Sequence, residues 1–155
     1  MRVVRASELP DSELMSIANN LVTAFGHLYP GWDTSSAAAE LAEDVGSGLP
    51  LHLVGIENEQ VIGIASIIST DEVTGWKDQG WWLANVLVLA GHRDQGVGHL
   101  LVANAIEIAK SSHARELHLV TDTAVDWYLR QGWKEAGLCD VHGHPMSLMQ
   151  LALPE

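Results

Sequence analysis

The run Val61-Ile62-Gly63-Ile64-Ala65-Ser66-Ile67-Ile68 most constrains what this chain can fold into. It is nearly continuous apolar and rich in β-branched residues, as expected of a central strand covered on both faces. Leu51 to Ile56 is a second strand-like run, and only Glu57 to Gln60 separate the two, so they read as a hairpin with a short loop. Upstream the apolar period is helical. Leu14, Ile17, Ala18, Leu21, Val22 and Phe25 follow a helix start near Ser7 to Asp11, after a short strand at Val3-Val4. Gly26 to Gly31 interrupt that helix. Asp33 or Thr34 then caps a second one, expected from Ala37 to Val45 and ended by Gly46 and Gly48.

Downstream, Trp81 to Leu89 reads as a strand, Gly96 to Ser112 as a long helix and Leu117 to Thr121 as a strand. Asp122 to Gln131 reads as a short helix stopped by Gly132. Trp133 to Cys139 and Met146 to Leu153 close the chain as two strands. The order β-α-α-β-β-β-α-β-α-β-β predicts an α/β domain with a mixed sheet and helices on both faces. At 155 residues one domain is expected, with no linker or repeat to divide it.

Composition excludes several classes. The chain is 47% hydrophobic, which rules out global disorder. Its one cysteine, Cys139, cannot form an internal disulfide and reads as a buried strand residue. No long apolar stretch follows Arg2 and Arg5, and no run approaches a membrane span. The expectation is a cytoplasmic protein without signal peptide or membrane partner. A net charge of −12 argues against nucleic acid as partner. Residues 1–80 hold 12 acids and 3 bases, so most of the negative charge lies in the first half. Such a surface is ordinary solubilising surface, and it also attracts cations.

The chemistry sits in Val86-Leu87-Val88-Leu89-Ala90-Gly91-His92-Arg93-Asp94-Gln95-Gly96-Val97-Gly98-His99. A strand runs into a loop carrying Arg93-x-x-Gly96-x-Gly98, and the loop opens a helix. Free N–H groups and partial positive charge at a helix start bind phosphate, and glycines let the backbone approach the anion. Arg93 either adds charge or orients the loop. The Lys and Ser/Thr of a nucleotide P-loop are missing, and so is the first glycine of the dinucleotide fingerprint. Two glycines alone leave a plain strand–helix turn as the simpler reading.

A second segment changes that. Ala124, Trp127-Tyr128 and Gly132-Trp133 follow a strand about one helix later. Together with Val86-x-Val88 and Arg93 to Gly98, this segment resembles the GCN5-related N-acetyltransferase (GNAT) superfamily. The resemblance covers residues 50 to 153, and a strand with two helices fits residues 1 to 48. Alanine stands at position 90 where the family often has proline, and Thr121 where it often has a cofactor-contacting asparagine.

The resemblance implies a GNAT-like, mostly antiparallel sheet of about seven strands. It implies one acyl-CoA N-acyltransferase domain over 1–155, with acetyl-CoA as donor. Main-chain groups of the Val86-Leu87-Val88 strand end would pair with the pantetheine arm. The N–H groups of Arg93, Asp94, Gln95, Gly96, Val97, Gly98 and His99 would hold the pyrophosphate, and Thr121 would add a contact. Tyr128 would protonate the departing thiolate, and a backbone N–H such as that of Val88 would receive the oxyanion. A tyrosine of ordinary pKa near 10 is protonated at neutral pH and suits the acid role. The plain alternative for Tyr128 is a core aromatic with a bonded hydroxyl.

The acceptor side is less defined. Members of the family often place a basic carboxylate on the fourth strand, and Trp81-Trp82-Leu83-Ala84-Asn85 carries none. Water, a loop acid such as Asp33 or Asp78, or a histidine is left to take the proton. His27, Tyr29, Trp32, Trp82 and His142 are the candidate acceptor contacts. Aromatic walls with carboxylates nearby suit a cationic amine, although single tryptophans more often fill cores. His142 and His144 read first as surface-loop residues, and no Cys/His cluster supports a metal site.

The expected function is transfer of an acetyl group to a primary amine of a small, cationic acceptor by direct attack in a ternary complex. A non-catalytic acetyl-CoA sensor or partner-binding module is the alternative on the same fold. A nucleotide-binding protein is the third. Acceptor identity and acyl preference are not written in the sequence. A homodimer is common in the family and stands here only as an analogy.

Overall fold

The computed structural model describes residues 1–43, 46 and 48–154. Seven strands form one sheet: β1 (Arg2–Arg5), β2 (Leu51–Glu57), β3 (Gln60–Ile68), β4 (Trp82–Val88), β5 (Glu116–Thr121), β6 (Lys134–Val141) and β7 (His144–Ala152). Their spatial order is β1-β2-β3-β4-β5-β7-β6. Every neighbouring pair is antiparallel except β4 with β5, which is parallel. The mixed sheet read from the sequence is therefore observed, and it is mostly antiparallel as the family resemblance implies.

Among the described residues, four α-helices cover it: α1 (Asp11–Phe25), α2 (Thr34–Ala42), α3 (Val97–Ser111) and α4 (Val125–Arg130). Leu14, Ile17, Ala18 and Leu21 bury the helical stripe of α1 against Val54 and Ile64 on one face of the sheet. Val97, Leu101, Val102, Ala105 and Ala109 of α3 pack on Leu53, Ile62 and Leu117 on the other face, where Tyr128 and Trp133 join them. Full burial of one such aliphatic side chain contributes roughly 1.5–3 kcal/mol. β3 lies between both layers, which is why its sequence is almost uninterrupted apolar.

Local chemistry sets the element ends. Asp33 caps α2, accepting from the Ser36 N–H at 2.8 Å and the Ser36 hydroxyl at 2.7 Å. The helix ends at Ala42, and Val45, expected within it, lies outside the described residues. The β2–β3 turn has only Asn58 and Glu59 at its tip, both with positive φ, so the hairpin is tighter than the four-residue loop read from sequence. His142 and Gly143 turn β6 into β7 in the same way, which carries both strands beyond their expected ends. α4 starts later than expected, because the Thr121 hydroxyl accepts from the Ala124 N–H at 3.0 Å and holds a turn ahead of it. Among the described residues, no helix is long and apolar enough to cross a membrane.

Candidate active site

β4 and β5 share a single paired position, Trp82 opposite His118. The His118 N–H donates to the Trp81 carbonyl at 3.0 Å, and beyond it the strands part. A cavity of about 740 Å³ opens in the gap, with Leu83, Asn85 and Val86 on one wall and Leu119, Thr121 and Tyr128 on the other. On the β3 side the Leu89 N–H bonds to the Ile62 carbonyl at 2.9 Å. Antiparallel ladders alternate, so Val88, opposite Gly63, turns its own N–H and C=O away from β3 toward the open side. Leu87, opposite Ile64, is the ladder residue. The Val88 carbonyl is taken by Arg93, and the N–H left at this strand edge is the kind of group that templates an extended ligand.

The loop after β4 delivers a helix start beside this gap. Gly96 is the N-cap of α3 with φ of 79°, a conformation that costs glycine little, and no side chain caps the helix. The first N–H groups of α3 therefore carry the positive end of the helix without a capping acceptor. A methyl group on Gly98 would lie 3.4 Å from Val88 Cγ2 and 3.5 Å from Trp127 Cζ2, so the helix start sits tightly between β4 and α4. Arg93 Nε donates to the Val88 carbonyl at 3.0 Å, which resolves its role toward orienting the loop. Arg93, Asp94, Gln95 and His99 are exposed, and His99 Nδ1 lies 3.1 Å from Gln131 Oε1, tying α3 to the end of α4.

Tyr128 reaches the cavity from the α3 face. Its ring stands edge-on to Trp127 and Trp133, with centroids 4.8 and 5.7 Å away. Burial pushes its phenol above the ordinary tyrosine value, so it stays protonated through the neutral range. The hydroxyl lines the cavity and has no hydrogen-bond partner among the described residues.

On the other side the same cavity is lined by Tyr29, Trp32, Glu40, Asp71, Glu72 and His142. The Tyr29 hydroxyl donates to Asp71. Trp32 Nε1 donates to Glu40 at 3.1 Å, and His142 Nε2 lies 3.5 Å from Glu72. Burial raises the Asp71 carboxyl to about 7; the Tyr29 hydrogen bond opposes that rise and the Glu72 charge adds to it. A polar row also crosses the sheet on this side. Asn85 Nδ2 donates to Ser66 Oγ at 3.2 Å, and Ser66 Oγ lies 2.7 Å from His52 Nδ1.

Residues 17–133 match the acetyltransferase (GNAT) family. The chain belongs to the GNAT acetyltransferase family. No curated protein matches it. Solved structures align over nearly the whole chain at low identity. An aminoglycoside 6′-N-acetyltransferase complexed with coenzyme A is 16% identical, with TM-score 0.74, covering 100% of this chain and 99% of that one. A ribosomal-protein-alanine N-acetyltransferase from Brucella melitensis is 20% identical, with TM-score 0.73, covering 99% and 100%. The yncA protein of Salmonella typhimurium with acetyl-CoA is 20% identical, with TM-score 0.72, covering 99% and 94%. At such identity these likenesses establish the GNAT fold.

Against this GNAT frame, the structure gathers Val86, Thr121 and Tyr128 on the cavity wall, whereas Leu87, Val88 and residues 93–99 are outside its lining. The loop reaches the site's edge at Gly98, which packs on Val88 and Trp127. Of the candidate acceptor contacts, Tyr29, Trp32 and His142 line the cavity. Trp82 does not: it is 0% exposed, packed against Trp76 and His118, because the end of β4 where it sits is the end still paired. His27 is also outside the lining, edge-on to His144 with centroids 6.0 Å apart. Asp33 is engaged as a helix cap, and Asp78 is not a lining residue. Sequence reasoning missed Asp71, Glu40, His52 and Ser66. A faint signal existed for His52 and Ser66, each a lone polar residue in a buried strand run.

Proposed function

We propose that this GNAT protein transfers the acetyl group of acetyl-CoA to a primary amine on a small cationic acceptor, in a ternary complex. The observation that carries the reading is the gap beside β4. There the unpartnered Tyr128 hydroxyl lines the cavity beside Val86 and Thr121, and the uncapped start of α3 packs at Gly98 against Val88 and Trp127, the neighbours of that wall. The helix start suits the pyrophosphate and the strand edge suits the pantetheine arm. Structural relatives crystallised with coenzyme A or acetyl-CoA support the donor.

In the reaction the neutral amine attacks the thioester carbonyl and a C–N bond forms. The carbonyl oxygen takes up negative charge, for which the Val88 N–H is the donor at hand. Collapse breaks the C–S bond, and Tyr128 gives its proton to the sulfur. The nitrogen loses one proton to water and Tyr128 takes one back from water, so amide and free thiol result and the phenol is restored. The acceptor class is supported by charge. Glu40, Glu43, Asp71 and Glu72 line the cavity, and no Lys or Arg is among its lining residues.

Calorimetric titration with acetyl-CoA, with ATP and NAD as controls, tests the donor. A panel of primary amines then tests turnover. Selective acetyl-CoA binding with acetylation of cationic amines is the expected result. Binding without turnover for any amine would leave the non-catalytic sensor as the reading, and no acetyl-CoA binding by folded protein would overturn the donor site.

A further inference from the structure

Asn85 occupies the irregular position of β4. Leu83 and Val86 both pack on the α3 face although they stand three residues apart, where a regular strand returns to one face every second residue. The register against β3 slips over the same stretch, Ile64 pairing with Leu87 and Ser66 with Ala84. The extra residue is a bulge. Asn85 has φ of 56°, a left-handed conformation that asparagine tolerates better than most side chains. The bulge turns its side chain off the α3 face to meet Ser66.

The hydrogen bonds there run in one direction. His52 is 5% exposed, and burial lowers its pKa to about 4, so the ring is neutral at physiological pH. The nearby Glu40 main-chain carbonyl favours a proton on the ring. Nδ1 faces the Ser66 hydroxyl, so that proton sits on Nε2, which is buried with no partner inside hydrogen-bond limits. Nδ1 then accepts from Ser66, and Ser66 Oγ accepts from the Asn85 amide. Asn85 Oδ1 is left without a partner among the described residues, on a side chain that lines the cavity. Tyr128 packs with the α3-face cluster, so the two groups reach the gap from opposite sides of the sheet.

We propose that Asn85 is the acceptor-positioning residue of this enzyme, its Oδ1 accepting a hydrogen bond from an uncharged primary amine and aiming the nitrogen lone pair at the thioester carbon. The inference rests on the N-acetyltransferase reading. An amide oxygen accepts hydrogen bonds but takes up no proton near neutrality. The surplus proton on nitrogen therefore passes to water once the C–N bond has formed, and the sulfur receives its proton from Tyr128. The free base of the acceptor is the reacting species. The titratable groups lining the same cavity are His52 on β2, Glu40 on α2, Glu43, Tyr29, Asp71, Glu72, Asp122, Tyr128 on α4 and His142.

The test is the pH dependence of kcat/KM for two cationic acceptors of different basicity. One is an amino-acid amide acetylated at its α-amino group, of pKa about 8; the other is an alkylamine of pKa about 10. The acid limb should follow the acceptor, the two limbs lying about two pH units apart. Asn85→Asp places a carboxylate at the bulge, and both limbs should move below pH 7 and coincide. Asn85→Gly keeps the positive φ and removes the side chain. It should lower kcat about 10- to 100-fold, with acetyl-CoA affinity unchanged. Ser66→Ala should act in the same direction, with Ser66→Thr restoring activity, and these variants stand in if the bulge variant does not fold. A wild-type limb near 7 that ignores the acceptor would overturn the proposal and give the proton to Asp71. Wild-type kcat and KM in both Asn85→Gly and Ser66→Ala would overturn it as well. No wild-type transfer to any amine, with acetyl-CoA bound, would instead reject the transferase reading beneath it.

Discussion

Tyr128 owes its chemistry to where its ring lies. Burial raises its pKa, so the phenol stays protonated on the cavity wall, the state that the proposed proton-donor role requires. Tyr128→Phe should lower kcat about 100-fold or more and leave acetyl-CoA affinity unchanged by calorimetry. Melting temperature should hold or rise, since no protein hydrogen bond is lost. A drop in acetyl-CoA affinity equal to the drop in kcat would instead make Tyr128 a binding residue. Single residues were unevenly legible in the sequence. Tyr128 sat in a motif whose spacing is set by one helix. Asp71 and Tyr29 meet across 42 positions of chain, and nothing local to either marks the pairing. Trp82 misled because an aromatic beside the expected acceptor segment looks the same whether its ring faces cavity or core.

At the scale of elements, the α3 start is positioned by contact as much as by backbone freedom. Gly98 leaves just enough room for Val88 and Trp127. Gly98→Val adds branches beyond ordinary van der Waals contact and should push the helix start off β4. Its expected cost is about 1–3 kcal/mol of stability, read by denaturant unfolding, with a larger proportional loss of acetyl-CoA affinity. Loss of stability with intact affinity would mean that the helix start does not hold the donor. Strand and helix identities were legible because each carries its own apolar period. The bulge at Asn85 was not, since its cause is a pairing slip against β3 and its residue is an asparagine in a run that reads as plain strand. Nor was the gap beside β4, because a sequence shows which segments are strands and not where two of them stop pairing.

The whole molecule carries −12, and Glu40, Glu43, Asp71 and Glu72 line its cavity. For a cationic acceptor, KM should rise several-fold between 50 mM and 500 mM salt, while KM for an uncharged amine analogue stays flat. Equal salt dependence for both would remove electrostatic steering. Folding stability should feel two buried groups of opposite sign. His52 has a folded pKa below its ordinary 6.5, so its contribution is present above 6.5 and is lost as pH falls toward about 4. Asp71 has a folded pKa raised from 3.8 to about 7, so its contribution is present below 3.8 and is lost as pH rises toward 7. Asp71→Asn should therefore gain stability relative to wild type at pH 8 and little at pH 4, and His52→Asn should flatten the acid side of the melting profile. Thermal scans across pH 4 to 8 check both; a wild-type profile unchanged by either variant would mean that neither group titrates in the folded protein.

The lone Trp82–His118 pairing has a mechanical meaning. The sheet is two stiff plates, β1 to β4 and β5 with β7 and β6, hinged at one point. Pulled apart across that line, the empty protein resists with one stitch plus whatever α3 and α4 lend from the side. A donor lying along the Val88 edge would act as a splint across the seam. Force spectroscopy along that axis should then report a higher rupture force with acetyl-CoA than without it, the result expected if the donor is also part of the frame.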